Sequence, residues 1–566
     1  MQHLRRLASG LKEFGLGPRD HVAIIARTRP EWHLIEHAAL MCGGVVVGID
    51  PHIPKEHLER VLDTVRPKIL VHECAANGTA STMNHSSART IFVNRDLTAR
   101  GGRGLTWEQF EEFANSCPRS TLPNVASSDP ATLIFTSGTT GFPKAIQFDH
   151  GQLMIACQAI CDAFPKLQTG DASLCWLPMA HLFQRMMNLV AVAHGAAIHF
   201  VDDPKRLAEC AKALNPSLLI GVPRFFEKLR ERIESEVASL PNWQQRMVQD
   251  ALRTSHRLRD NIVNGRRAPY SLRLRHALLD RTVLARIRRS LGRRLRFMIT
   301  GSAPISESHL EFFADLGCPV YEAYGVSECA IPIAANRPQS CRIGTVGIPF
   351  AENGFRLADD GEILVSGPAT FKGYWGESCN TEFFSPDGFY RTGDLGQLDS
   401  DGYLRLLGRK SDMLKTSTGR KVFPTAIERV YQEHPLIDQI VVFGEGRPYL
   451  VGLVSVNIAW LRQEVVSTCE SVDERLRIDD GMVDRLLHRA LCEIGLRLAP
   501  HERVVNFAVV PEGFKVEAGE VTTNMKLRRS FIGSKYASQI AQMYNEPHPL
   551  SVASRQEEVG PCLMSS

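Results

Sequence analysis

From Thr136 to Lys144 the chain reads Thr-Ser-Gly-Thr-Thr-Gly-Phe-Pro-Lys, hydroxyls and glycines closed by one cation. Glycine lets backbone N–H groups come close to an anion, hydroxyls add donors, and lysine adds a point charge. Together these residue types can wrap the oxygens of a triphosphate. The run departs from the G-x-x-x-x-G-K-[ST] phosphate loop, which feeds directly into a helix: Pro143 precedes the lysine and Ala145 follows it. Apolar Leu133-Ile134-Phe135 predicts a strand before the loop, and residues 145–148 predict one after it. Asp149 then predicts the cap of a helix over 150–163. The loop is expected between strands, holding phosphate without a helix N-terminus. Taken alone, a flexible hairpin loop explains the same residues as well.

The elements around the loop alternate. Apolar runs at 21–25, 45–49 and 69–71 are separated by helical patterns at 32–42 and 55–65, which predicts a doubly wound parallel sheet. Residues 75–128 are polar and weakly patterned and read as loop and linker. A helical stretch after residue 228 is crowded by Arg253, Arg257, Arg259, Arg266, Arg267, Arg273, Arg275, Arg286, Arg288, Arg289, Arg293 and Arg294, with few acids. It is either a solvated helical face or a surface for phosphates, on a membrane or on a ligand. Strand runs at 440–443 and 450–456 with a helix at 484–496 predict a small α+β domain, and the tail 547–566 is expected to be disordered.

Composition narrows the class. A chain of 566 residues is too long for one ordinary core. Hydrophobic residues at 44% and charged residues at 23% fit a soluble globular protein. The net charge of +4 is too small to argue for nucleic acid, and no zinc-finger or RNA-recognition pattern appears. The 14 cysteines lack metal spacing; Cys157 and Cys161, one helical turn apart, read as packing. Without a signal peptide, reduced thiols in a cytoplasm are the simplest expectation. The first 15 residues read as an amphipathic helix, and the longest apolar run, 186–201, is broken by Asn188, His194 and Gly195, so no transmembrane helix is expected.

The motif T-S-G-T-T-G-x-P-K resembles the phosphate loop of the adenylate-forming superfamily, which includes acyl-CoA synthetases, luciferases and peptide-synthetase adenylation domains. Further segments resemble that family's motifs in its order. They are Leu177-Pro-Met-Ala-His-Leu-Phe-Gln-Arg185, with Gln184 for the usual glutamate, and Tyr324-Gly-Val-Ser-Glu328, with Ser327 for the commoner threonine. Thr392-Gly-Asp394, Gly408-Arg-Lys-Ser-Asp412, Ser417-Thr-Gly-Arg-Lys-Val-Phe-Pro424 and Gly519-Glu-Val-Thr-Thr-Asn-Met-Lys526 follow. The ordered set is similar to the long-chain fatty acid–CoA ligase branch. Members usually carry several dozen more residues ahead of the first sheet, so the resemblance implies a short variant, a late start or a truncated gene.

The resemblance implies a large α/β domain of doubly wound sheets plus a distorted β-barrel over 1–408, and a mobile α+β domain over 409–546. It places Thr136, Ser137, Gly138, Thr139, Thr140, Gly141 and Lys144 on the phosphates. Gly301, Ser302, Ala303, Tyr324 and Gly325 would surround the adenine, with Glu322, Ala323 and Ser327 in the same nucleotide site. Asp394 and Arg409 would hold the ribose, and Lys415 would lie near the α-phosphate. Glu328 and Thr136 would hold Mg²⁺, and Lys526, Glu328, Thr136 and Lys144 would be catalytic. Ser411 is the implied hinge and Gly419 the CoA-channel residue. His181 would line the acyl pocket, a packed core histidine being the alternative. The implied reaction joins a fatty acid to CoA through an acyl-adenylate, with ATP consumed and AMP and pyrophosphate released. Two alternatives stay open: an acyl-AMP ligase loading an acyl carrier protein, and a degenerate paralogue that binds lipid or nucleotide. The expected location is cytoplasmic, with the arginine-rich stretch as a peripheral contact on the inner face of a membrane.

Overall fold

Helices cover both faces of the first sheet, so its strands are nearly continuous apolar runs rather than alternating ones. The computed structural model describes residues 1–73, 88–93, 104–119, 121–136, 142–376, 381–458, 460–461, 480–515, 518–521 and 527–545. Seven strands build that sheet: β1 (His21–Ile25), β2 (Val45–Ile49), β3 (Ile69–His72), β4 (Arg89–Phe92), β5 (Gly104–Thr106), β6 (Pro130–Thr136) and β7 (Lys144–Asp149). Their order is β5-β4-β3-β1-β2-β6-β7, parallel except for β7, which turns back antiparallel on β6. The loop of interest therefore closes a β-hairpin, with Thr136 opposite Lys144. Asp149 caps the helix His150–Ala163 in a capping box with Gln152.

The stretch 75–128, read as linker, adds β4, β5 and the helix Trp107–Ser116 to the sheet edge. The strands escaped the pattern because they are short, and an edge strand need not be apolar throughout.

The second sheet holds β8 (Ala172–Cys175), β9 (Ala197–Phe200), β10 (Leu218–Gly221), β11 (Phe297–Thr300), β12 (Val320–Tyr324), β13 (Ala334–Ala335) and β14 (Ile348–Pro349), in the order β14-β13-β12-β11-β10-β8-β9. β15 (Gly354–Leu357), β16 (Glu362–Ser366), β17 (Tyr390–Leu398) and β18 (Leu404–Arg409) form a curled antiparallel half-barrel. One buried core draws on both large sheets and on this half-barrel, through Ile134, Ile146, Ile299, Phe350, Phe371 and Tyr390. The candidate site lies where these three layers meet.

Beyond β18 a two-stranded hairpin, β19 (Leu414–Lys415) and β20 (Lys421–Val422), leads into the small α+β domain. Its sheet runs β21 (Ile437–Phe443), β22 (Leu450–Val456), β23 (Val504–Val509), packed by the helices Pro424–Tyr431 and Asp480–Gly495. No helix among the described residues is long and apolar enough to cross a membrane.

Candidate active site

The β6–β7 hairpin delivers Lys144 to a group of aromatic rings. Its ammonium stands 4.7 Å from the centre of the Tyr374 ring and 4.3 Å from that of Phe383, a cation–π arrangement. Tyr374 reaches this place because residues 374–375 extend the first sheet: Ile146 bridges Tyr374, and the Trp375 N–H donates to the Ala145 carbonyl at 2.8 Å. The Tyr374 hydroxyl donates to Glu328 Oε1 at 2.8 Å. Tyr390 faces the same pair, and burial together with the Glu328 charge pushes its phenol far above the usual range. Lys144 and Glu328 thus meet through one tyrosine that sequence reasoning left without a role. Phe142, at the loop's exit, lies under the Arg60 guanidinium at 3.8 Å. Ser137, Gly138, Thr139, Thr140, Gly141 and Lys526 lie outside the described residues.

The Thr392-Gly-Asp394 segment meets Arg409 by strand register. Asp394 on β17 pairs with Arg409 on β18, and Asp394 Oδ1 accepts from Arg409 Nε at 3.1 Å. Asp394 Oδ2 accepts from the Tyr324 hydroxyl at 2.7 Å. Burial and the adjoining carboxylate push the Tyr324 phenol well above its usual range, so it remains a donor. The Asp394 charge in turn raises the Arg409 guanidinium. The local sequence explains the geometry: Gly393 takes φ +70, while the Thr392 hydroxyl donates to the Ile363 carbonyl and accepts from the Asp394 N–H. Glycine is the residue that takes this left-handed backbone without strain.

Gly301, one of the residues expected around the adenine, directly follows β11 in close contact with β12: a Cβ there would stand 3.1 Å from the Ala323 carbonyl. Ser302 adopts φ +71, a strained value for a non-glycine, in the turn ahead of the helix Glu307–Asp315. Ala303 and Ala323 are half-buried, and Gly325 and Ser327 are exposed. Glu322 is buried, and that burial pushes its carboxyl up to about 7 despite the Arg429 charge and a backbone N–H from Ile305. Arg429 comes from the small domain, whose first helix therefore lies close to Glu322.

The connection between the domains is clamped up to Lys410. Its ammonium donates to Asp360 Oδ2 at 2.6 Å and Glu362 Oε2 at 3.1 Å on the half-barrel. Ser411, next in line, is exposed, and its hydroxyl bonds the neighbouring Asp412. Lys415 is exposed on β19, and Gly419 sits in the exposed β19–β20 turn with φ +78, where a Cβ meets nothing within 4 Å.

His181 occupies the N-cap position of the helix Leu182–Ala193 and is half-buried. Gln184 is buried; its Oε1 accepts from the Trp176 and Leu177 N–H groups while its Nε2 donates to Asn188. An amide offers both the acceptor and the donor that this arrangement uses, whereas a carboxylate has no donor. Arg185 is structural: buried, it donates to Glu36 and Thr132 and ties the helix to the first sheet. Burial opposes the Glu36 charge, but Arg185 and His33 prevail and hold it near 2.

For a metal, Glu328 and Thr136 offer a carboxylate and a hydroxyl, oxygen donors of the kind a hard cation takes. Thr136 Oγ1 lies 3.5 Å from the Lys144 carbonyl, too far to be held firmly. Another group of ligand type among the described residues, His33, Glu36 and His37, has its carboxylate held by Arg185 and its two rings hydrogen-bonded to each other at 3.2 Å.

The family model for AMP-binding enzymes matches residues 1–375, and that for the AMP-binding enzyme C-terminal domain matches residues 411–548. The chain belongs to the adenylate-forming, AMP-binding enzymes. This acyl-activating enzyme is 32% identical, over 96% of its length and 91% of the other's, to the long-chain-fatty-acid–CoA ligase FadD15 of Mycobacterium bovis. It is 28% identical to human long-chain-fatty-acid–CoA ligase 1, over 94% of this chain and 80% of that one. Its fold matches the adenylation domain of a carboxylate reductase from Mycobacterium chelonae with a TM-score of 0.75 at 19% identity, over 96% of this chain and 83% of that one. The expected fold, doubly wound sheets, a distorted β-barrel and a C-terminal α+β domain, is observed, with two large sheets and the barrel as a four-stranded half-barrel. Tyr374, Phe383 and Tyr390 are the site residues that motif reading missed. A signal was present in Gly373-Tyr-Trp375, but its role depends on a strand pairing made across more than 200 residues of sequence.

Proposed function

We propose that this enzyme activates a long-chain fatty acid. The fatty carboxylate attacks the α-phosphorus of ATP, pyrophosphate leaves, and the CoA thiol then displaces AMP from the acyl-adenylate to give acyl-CoA. The observation that carries the substrate class is the near full-length similarity to long-chain fatty acid–CoA ligases. The carboxylate is ionised at neutral pH, so the first step needs no general base. It needs positioning and charge stabilisation on the phosphate oxygens. Lys144 and Lys526 are assigned that task. Asp394 and Arg409 orient the ribose, and Gly301–Ala303 with Glu322–Gly325 frame the adenine. Glu328 and Thr136 would hold Mg²⁺, which supplies further positive charge to the phosphates when bound.

We divide the chain functionally at Ser411. Arg409 and Lys410 are tied to the half-barrel and Ser411 is not, which supports rotation beginning there. The exposed Gly419 turn is then free to swing toward a CoA channel in the second half-reaction. The deciding experiment assays acid-dependent pyrophosphate exchange and thioester formation over a panel of C6 to C20 acids with CoA. Turnover with long chains and CoA supports the proposal. Exchange with transfer only to a carrier protein, or with short or aromatic acids alone, would overturn it.

A further inference from the structure

We propose that the face built by the helices Asn242–Val263 and Tyr270–Leu279 docks this chain on an anionic lipid bilayer. The second helix buries no residue. Tyr270, Leu274 and Leu278 recur every fourth position, so they share one helix face, and they are 79%, 61% and 64% exposed. Ile262 and Val263, 67% and 72% exposed, close the first helix just before the hairpin turn. Aliphatic and aromatic side chains grouped in water mark an interaction surface rather than ordinary surface scatter.

Charge then selects the partner. Between residues 242 and 294 arginine is the only strong cation and the acids are Asp250, Asp260 and Asp280 alone. Some arginines belong to the fold: Arg288 is held by Asp280 and the Leu316 carbonyl, Arg275 by Asp250, and Arg259 by Asp315. Arg266 and Arg267 in the turn, and Arg273 and Arg281 beside the apolar stripe, are exposed and have no guanidinium partner among the described residues. Arg253 and Arg257 stand one turn apart, a like-charge pair that an external anion would relieve. A cationic rim around an unpartnered apolar stripe suits the headgroup and upper acyl layer of an anionic membrane. Soluble phosphate ligands such as CoA would need converging arginines, not apolar side chains between them.

The test is co-sedimentation with vesicles of phosphatidylcholine alone and of phosphatidylcholine with phosphatidylglycerol, at low and high salt. Wild type should bind the anionic vesicles, less at high salt. Arg266→Gln, Arg267→Gln and Arg273→Gln combined should weaken binding about fivefold per arginine, on the order of 100-fold in all. Leu274→Glu with Leu278→Glu should weaken it at least about tenfold. All five positions are exposed, so thermal unfolding and acid-dependent pyrophosphate exchange should match wild type. The docking proposal and the substrate assignment are thus read by separate assays. Vesicle binding that is absent from wild type, or unchanged in both variants, overturns it. A raised KM for CoA with unchanged vesicle binding in the arginine variant would assign the charges to CoA instead. A change of oligomeric state with unchanged vesicle binding in the leucine variant would assign the face to a second copy.

Discussion

Two corners of the candidate site, those proposed for the ribose and for the phosphates, are built by different means. The ribose corner is made by backbone register: β17 and β18 set Asp394 opposite Arg409, and Tyr324 completes the trio from the neighbouring sheet. The phosphate corner is made by side chains that hold each other. Lys144 rests on Tyr374 and Phe383, and Glu328 accepts from Tyr374. Under the roles proposed for Lys144 and Glu328, a bound triphosphate and its metal would compete with this tyrosine for both charged groups. On that proposal the first corner is held in place before binding, and the second would exchange partners. Preorganised donors cost no rearrangement at the moment of reaction, whereas released ones do.

The largest expected effect comes from the cation assigned to the phosphate corner by the small domain. Lys526→Ala should lower adenylate formation on the order of 10²–10³-fold, the usual effect of losing one group that faces developing charge. CoA-dependent turnover of supplied acyl-adenylate should survive. Equal loss of both half-reactions would show that Lys526 acts on the fold instead.

Glu322 lies on β12, two residues before Tyr324. Burial raises its carboxyl from 4.5 to about 7, so its neutral form is the one the fold favours. The resulting stability is complete below pH 4.5 and is lost as pH rises through 7. Glu322→Gln should therefore match wild type at pH 4 and exceed it above pH 7 by about 3 kcal/mol at most, from about 1.4 kcal/mol per unit. Chemical denaturation of both proteins across that range checks the sign. A variant that loses stability at every pH would mean that Glu322 is charged and needed as an ion.

At the preorganised corner, Asp394→Ala should raise the KM for ATP by on the order of 10–100-fold, since hydrogen bonds to a charged group contribute about 1.5–3 kcal/mol each. Melting with and without ATP would separate lost binding from lost packing around Tyr324 and Arg409. The smallest effect sharpens the contrast most. Tyr374→Phe keeps the ring under Lys144 but removes one hydroxyl donor from Glu328, leaving Tyr390 beside it, so it should cost about 1 kcal/mol of stability while lowering the Mg²⁺ concentration for half-maximal exchange a few-fold. An unchanged or higher Mg²⁺ requirement would mean that the tyrosine orients Glu328 for the metal, and the partner-exchange contrast would fail.

The sequence by itself determined what depends on neighbours along the chain. The strands flanking the loop at 136–144 and the helix capped by Asp149 follow from short periods and a capping residue. The order of motifs carried the family as well. Tertiary structure alone decided the rest. Strand β4 and the edge strand β5 are too short and too polar to show a period, and sheet pairing makes them strands. Arg288 belongs to the fold because Asp280 faces it one side and the Leu316 carbonyl the other, while Arg266 and Arg273 remain in solvent. Tyr374 joins the site because its segment pairs with β7, and that pairing brings it under Lys144. Local pattern records which backbone states a segment prefers and which face it buries. Contacts between segments far apart in the chain arise only when those faces pack, so the partners of Lys144 and Glu328 had to come from the folded protein.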